Sequence, residues 1–273
     1  MKIGFVTCVQ LGLSCMEAIY QAGGRLDLAI TLSDDKAVQK SGRVYLDQFC
    51  IKQQIPLLKV RHINDVEVLE SIKKMELDWL FIIGWSQIAG QAVLDAPKLG
   101  VLGMHPTLLP NGRGRAAIPW AILKCLDQTG VTLFKLDCGV DTGPIADQYV
   151  IPLSPDSSAS ELYSAVNEAH VQLIKRVMPK IIAGELTLQV QDDSLATIWP
   201  GRTPEDGEIN FSGSVLDAER LVRAVTQPYP GAYFYEDGNK VIVWRAAISK
   251  VIPQAKYLQF KDGYLTLLDW QYA

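Results

Sequence analysis

Apolar positions in the first half of the chain fall into short blocks, with stretches of helical spacing between them. Residues 2–9, 26–32, 56–60, 78–84 and 99–104 read as strands. Residues 14–22 (closed by Gly23 and Gly24), 45–54 and 66–74 read as helices. The block at 78–84, DWLFIIG, is almost wholly apolar, as a strand covered on both faces must be. Strands alternating with helices predict an α/β fold with a doubly wound, mostly parallel sheet. Ligands of such sheets bind beyond the carboxyl ends of the strands. Two more strands, 130–137 and 146–153, are predicted around the turn DCGVDTGP. A long helix follows: Ser158 and Glu161 have capping-box spacing. Leu162, Val166, Ala169, Leu173 and Val177 make its apolar stripe, and Gly184 is its stop.

The pattern changes after residue 196. Residues 199–207, WPGRTPEDG, read as a rigid, turn-rich connector. One amphipathic helix follows, with Val215, Ala218, Val222 and Val225 on its apolar face. Residues 232–235 and 240–244 flank EDGN and predict a hairpin, as do 256–260 and 264–268 around Asp262 and Gly263. The predicted division is a domain of residues 1–196 and a small β-rich domain of residues 204–273. A unit of that size needs a neighbour to pack on.

Composition narrows the class. Apolar residues are 48% and charged residues 21% of 273, enough to bury a core. A net charge of −4 speaks against a surface that coats nucleic acid. Five cysteines, Cys8, Cys15, Cys50, Cys125 and Cys138, form no CxxC pair, which suits reduced thiols in the cytoplasm. No leader pattern and no apolar run of about 18 residues is present, so neither export nor a membrane span is expected. The loop after the first strand lacks GxGxxG, so a nicotinamide cofactor is not expected. No Walker loop, GxSxG, HExxH or metal-ligand spacing occurs.

Of three histidines, His62 sits among polar loop residues and His170 beside the apolar stripe of the long helix. Both read as solvated or packed. His105 instead follows a buried strand and precedes Pro106 and the loop LLPNGRGR, a composition suited to a ligand surface. Asp141 lies between Gly139 and Gly143, and its bland reading is a turn aspartate that bonds its own backbone. Asp137 reads as the weaker candidate. Were Asp141 beside His105, the carboxylate would favour the imidazolium. That cation could stabilise an oxyanion, and the carboxylate could take a proton from an attacking amine. Such a pair suits acyl transfer to an amine without a covalent enzyme intermediate.

The run GMHPTLLP at 103–110, Arg113-Gly114, and Asp141-Thr142-Gly143 resembles the folate-dependent formyltransferase superfamily, whose pattern is Asn-x-His-(Pro/Gly)-Ser-Leu-Leu-Pro, Arg/Lys-Gly and Asp-Thr-Gly. The 36-residue interval from His105 to Asp141 is also similar. RTPEDG and RAVTQPYPGAYFY resemble the linker and truncated, OB-like C-terminal domain of nucleotide-sugar N-formyltransferases, including the pseudaminic acid pathway type. The resemblance implies a Rossmann-like core, N10-formyltetrahydrofolate as donor and a primary amine as acceptor. It implies His105 and Asp141 as catalytic residues. It also implies that Trp85, Ser86, Gln87 and Ile88, with Val140, Thr142 and Gly143, line the pterin pocket.

The family's asparagine, two residues before the histidine, is Gly103 here. Thr107, Asn111, a backbone amide, or water in the space left by glycine are the expected substitutes. The resemblance favours a UDP- or dTDP-linked 4-amino-4,6-dideoxy sugar as acceptor, supported by residues 40–47, KSGRVYLD. Arg113, Arg115 and Lys135 are the expected diphosphate partners, no metal is expected, and a homodimer is among the expectations. Methionyl-tRNA, another small amine, and binding of folate or sugar without turnover stay open as alternatives.

Overall fold

A computed structural model describes residues 1–37 and 42–273, so Lys40 and Ser41 of the KSGRVYLD segment lie outside the described residues. The strands are β1 (Ile3–Val6), β2 (Leu28–Leu32), β3 (Leu57–Val60), β4 (Trp79–Ile82), β5 (Gly100–His105), β6 (Arg113–Gly114), β7 (Gln128–Lys135), β8 (Ile145–Pro152), β9 (Ile198–Trp199), β10 (Ala232–Glu236), β11 (Asn239–Ser249), β12 (Tyr257–Phe260) and β13 (Gly263–Tyr272). The helices are α1 (Gln10–Gln21), α2 (Asp34–Ala37), α3 (Asp47–Gln53), α4 (Val66–Met75), α5 (Gln91–Leu94), α6 (Ala117–Leu123), α7 (Ala159–Ala183) and α8 (Val215–Val225).

Two compact units result. One comprises Met1–Arg113, Gly130–Val150 and Asn167–Thr197, the other Gly114–Thr129, Ile151–Val166 and Ile198–Ala273. The units therefore do not follow a single cut near residue 200. The second takes α6 and the start of α7 from the first 196 residues.

The first unit is built on a sheet of order β3-β2-β1-β4-β5-β7-β8. Its first five strands are parallel, and β7 runs antiparallel to β5. The mostly parallel reading holds, and the reversal at β7 is its one addition. Burial explains the apolar blocks: every residue of β1 and β2 is buried, as are Trp79, Leu80 and Phe81 of β4. Helix α4 contributes Val68 and Ile72 to the same core, together with Val6, Ile30 and Leu80. The reversal at β1/β4 separates crossovers on the two sides of β1, so the carboxyl ends of β4 and β5 open where ligands bind in this architecture.

The second unit carries a four-stranded sheet of order β10-β11-β13-β12 with antiparallel pairing. Both hairpins read from the sequence are present. Asp237 and Gly238 between β10 and β11 have φ of 49° and 80°, the two positive values a tight two-residue hairpin turn demands. Val215, Ala218, Val222 and Val225 of α8 are buried, as their spacing predicts. Phe211 stacks on Phe260 and meets Phe234 edge-on. Among the described residues no helix is long and apolar enough to cross a membrane.

Candidate active site

His105 is the last residue of β5, held there by pairing with Thr132 of β7. Thr132 also organises the next residues. Its hydroxyl donates to the Thr107 carbonyl (2.7 Å) and accepts from the Leu109 N–H (3.0 Å). Gln148 of β8 adds donors to Thr132 and to the Leu109 carbonyl, each at 2.8 Å. The chain leaving β5 is thus pinned to β7 and β8, and the His105 ring, 8% exposed, has little freedom.

The ring is gripped at both edges. Nε2 lies 2.8 Å from the Gly112 carbonyl, and Nδ1 lies 3.5 Å from Asp141 Oδ2. A carbonyl can only accept, so Nε2 carries a proton. Nδ1 is the ring atom that faces the carboxylate. At 3.5 Å the Nδ1–carboxylate contact exceeds the usual 2.7–3.2 Å hydrogen bond. A substrate atom can therefore compete for Nδ1.

The sequence reading brought His105 and Asp141 together by resemblance, and the structure places them in contact. Asp141 has φ of 56°, the left-handed region, within the β7–β8 loop. Asp137 is a self-bonded turn aspartate: its carboxylate accepts from the Gly139 N–H (3.1 Å) and the Thr142 hydroxyl (2.7 Å). Asp137 thereby shapes the loop, and Thr142 is occupied in it.

Gly103 gives a correction. It sits two residues before His105 on β5, so an added side chain would leave the same face of the strand as the histidine. The space is not empty. A Cβ at Gly103 would lie 2.6 Å from Leu136 Cδ2 and 3.1 Å from its Cγ. Leu136 is itself packed on the first unit's core. Leu136 thus lies against the place where the sequence left room for water.

The three expected diphosphate partners lie in different surroundings. Arg113 is 7% exposed, and its Nε and Nη2 are bonded within the protein. Nε and Nη2 donate to Gln191 Oε1 at 3.2 and 2.8 Å, and Nη2 donates to Asp193 at 2.6 Å. Lys135 pairs across from Leu102, and its side chain covers Gly100, where an added Cβ would lie 2.4 Å from Cε. That is the amino end of β5, about 16 Å of strand from His105. Lys135 is therefore displaced from the mouth. Arg115 is exposed and belongs to the second unit, where its N–H donates to the Trp199 carbonyl.

Thr107 is 1% exposed, and its hydroxyl has no partner, while Asn111 is exposed. In the loop after β4, Ile82 pairs with Gly103, so residues 83–88 emerge beside β5 at its carboxyl end. Gln87 holds this loop rather than offering its amide: Oε1 accepts from the Ile63 N–H and Nε2 donates to the Arg61 carbonyl. The Trp85 indole N–H is buried without a partner, Ser86 is exposed, and Ile88 is 87% exposed. Val140 is 67% exposed, and Gly143 is buried. His62 is exposed and its Nδ1 accepts from the Asn64 N–H, whereas His170 is buried in α7. Among the described residues no cluster could hold a metal.

Gln191, Thr197 and Leu136 carried no sequence signal. The Gln191 amide donates to the carbonyls of Asp141 (2.8 Å) and Gly143 (2.7 Å). The Thr197 hydroxyl accepts from the Gly112 N–H at 2.8 Å. These partners are 48 to 85 residues apart, and no local pattern announces them.

The Formyl transferase family matches residues 14–178, and the Formyl transferase C-terminal domain matches residues 202–265. A bifunctional polymyxin resistance protein ArnA from Wigglesworthia glossinidia brevipalpis is 29% identical over 248 residues, 91% of this chain and 37% of that protein. A methionyl-tRNA formyltransferase from Geobacter sulfurreducens is 31% identical over 198 residues, 72% of this chain and 62% of that protein. The chain thus spans less than two thirds of either relative. An N-formyltransferase structure from Helicobacter canadensis, in complex with folinic acid and dTDP-3-aminofucose, superposes with a TM-score of 0.72 at 17% identity, covering 100% of both chains. With the family matched across 165 residues (14 through 178) that include His105 and Asp141, the chain belongs to the formyl transferase family.

Proposed function

We propose that the protein transfers a formyl group from N10-formyltetrahydrofolate to the primary amine of a nucleotide-linked amino sugar. The observation that carries the chemistry is the His105–Asp141 contact at the carboxyl end of β5. The folate suits the residues present. The Trp85 indole N–H is an unpartnered donor beside the mouth, and Ile88 and Val140 present apolar surface that an aromatic ring system would cover. Bound, the donor supplies an electrophilic formyl carbon.

The chain's own residues then act as follows. Nδ1–H of His105 donates to the formyl oxygen as charge builds there, while the Gly112 carbonyl keeps the ring oriented through Nε2. Asp141, directly or through water, accepts the proton released when the amine forms its bond to carbon. Asp141, directly or through water, returns that proton to N10 as the formyl carbon–N10 bond breaks. With Gly103 in place of the pattern's asparagine and Leu136 against it, His105 carries the stabilisation that the family pattern shares with an asparagine.

Support for a sugar acceptor comes from the net charge of −4, from the small second unit, and from the full-length likeness to the Helicobacter enzyme bound to a dTDP-amino sugar. A UDP- or dTDP-linked 4-amino-4,6-dideoxy sugar, for a surface polysaccharide, is the specific proposal. A cytoplasmic location and a homodimer belong to the same reading, and five free cysteines suit that location. The test is tetrahydrofolate release from the formyl donor with a panel of 3- and 4-amino nucleotide sugars. Turnover is expected with at least one, falling about 100- to 10,000-fold in His105→Ala and in Asp141→Asn. Release with methionyl-tRNA alone would replace the sugar assignment. Folate binding without release for any amine would sink the enzyme reading.

A further inference from the structure

We propose that Gln191 is a positioning residue that sets Asp141 against His105, as the centre of a clasp formed by residues 189–197. The inference rests on the assignment of those two residues as the reacting pair. Gln191 is buried, and every polar atom of its amide is committed. Nε2 donates to the Asp141 and Gly143 carbonyls, and Oε1 accepts twice from Arg113. The amide has one orientation only, because Arg113 can only donate and the carbonyls can only accept.

What the amide holds is a backbone in a strained conformation. Asp141 is a non-glycine residue at φ of 56°, a conformation that persists only where its surroundings fix it. Gln191 bonds the carbonyl of that very residue and the carbonyl two residues later. The other end of the clasp reaches the histidine. Thr197 accepts from the Gly112 N–H, and its carbonyl accepts from the Arg113 N–H at 2.9 Å. The Gly112 carbonyl is the partner of His105 Nε2. Gln189 anchors the start of the clasp by a reciprocal pair of backbone bonds with Ile145, at 2.7 and 2.8 Å. One stretch of chain therefore fixes both the loop that bears Asp141 and the carbonyl that orients His105. Arg113, tied to Gln191 and Asp193, joins the two halves.

The test is steady-state kinetics on the full chain with Gln191→Glu, Asp141→Asn and the double variant. Gln191→Glu keeps the shape and gains a charge partner in Arg113, but turns a carboxylate oxygen toward the two carbonyls. A packing role predicts wild-type kinetics. The positioning role predicts a kcat lower by about 100-fold, with both KM values within about threefold. In the Asp141→Asn background the same substitution should change the residual kcat by less than about twofold. Should Gln191→Glu fail to fold, Thr197→Val serves. It removes only the acceptor for the Gly112 N–H, and it should lower kcat by about tenfold at unchanged KM. A silent Gln191→Glu beside an inactive Asp141→Asn overturns the inference alone, as do equal losses in both backgrounds. Wild-type kcat in Asp141→Asn overturns the reacting pair and this inference with it.

Discussion

At Gly103 the chain departs from the asparagine of the family pattern that it resembles, and Leu136 lies against that position. The asparagine of the family pattern cannot simply be restored. Its Cβ would meet Leu136 at 2.6 and 3.1 Å, and Leu136 has core neighbours behind it. Gly103→Asn alone is expected to destabilise the fold by about 1–3 kcal/mol, the usual penalty for overfilling a packed space. Leu136→Ala should make room for the amide. The pair Gly103→Asn/Leu136→Ala should then regain stability relative to the single Gly103→Asn and show a higher kcat than Leu136→Ala alone. A gained oxyanion donor contributes up to about 2.7–4 kcal/mol of transition-state stabilisation. Denaturant titration and initial rates on the three variants measure both. Unchanged stability in Gly103→Asn would show that Leu136 yields freely and does not define the position. His105 and Asp141 were legible because a short motif marks them. Leu136 was not, because its role depends on which loop atom reaches β5.

Helix α7 shows what local sequence can and cannot predict. Its start was readable from Ser158 and Glu161. The Glu161 carboxylate accepts from the Ser158 N–H (2.8 Å) and hydroxyl (2.8 Å), and the Glu161 N–H donates back at 3.4 Å. The Ser158 backbone bond, then its hydroxyl, hold the Glu161 carboxyl below its usual 4.5. A depressed carboxyl contributes stability that is present above the unfolded-state value and is lost as pH falls through the folded one. Removing the hydroxyl bonds of the box with Ser158→Ala should cost about 0.5–2 kcal/mol near neutrality. The gap between wild type and Glu161→Gln should narrow as pH is lowered from about 5 toward 3. A gap that stays constant over that window would mean the carboxylate is not the operative group. The stripes of α7 and α8 and both hairpins were equally readable, since spacing and turn chemistry act over a few residues. The helix α6 was not. It follows the Arg-Gly-Arg loop, and its Ala116 N-cap is left-handed at φ of 55° with no side-chain cap. The antiparallel β7 and the clasp at residues 189–197 were also unread, because each is fixed by partners far along the chain.

Across the whole molecule, thiol chemistry can follow the first unit and the candidate site together. Cys8, Cys15 and Cys50 are buried, and all lie in the first unit. Burial pushes the Cys15 thiol up to about 12 and the Cys50 thiol up to about 11, with Asp47 adding to the latter. Thiols held that high are almost wholly protonated at neutral pH, and protonated thiols are poor nucleophiles. Cys125 and Cys138 are exposed, the former in the second unit and the latter three residues before Asp141. With a water-soluble maleimide at neutral pH, these two should label quickly. The three buried thiols should label only when the first unit unfolds. Cys138 adds a functional readout, since it shares the loop that Gln191 and Asp137 shape. In a Cys125→Ser background, the formyl donor should slow labelling at Cys138. In the reciprocal Cys138→Ser background, it should leave Cys125 unaffected. Equal protection of both cysteines would point to a global tightening of the chain rather than occupancy at the Asp141 loop. No protection of Cys138 at saturating donor would remove that loop from the folate site and return Val140, Thr142 and Gly143 to a purely structural role.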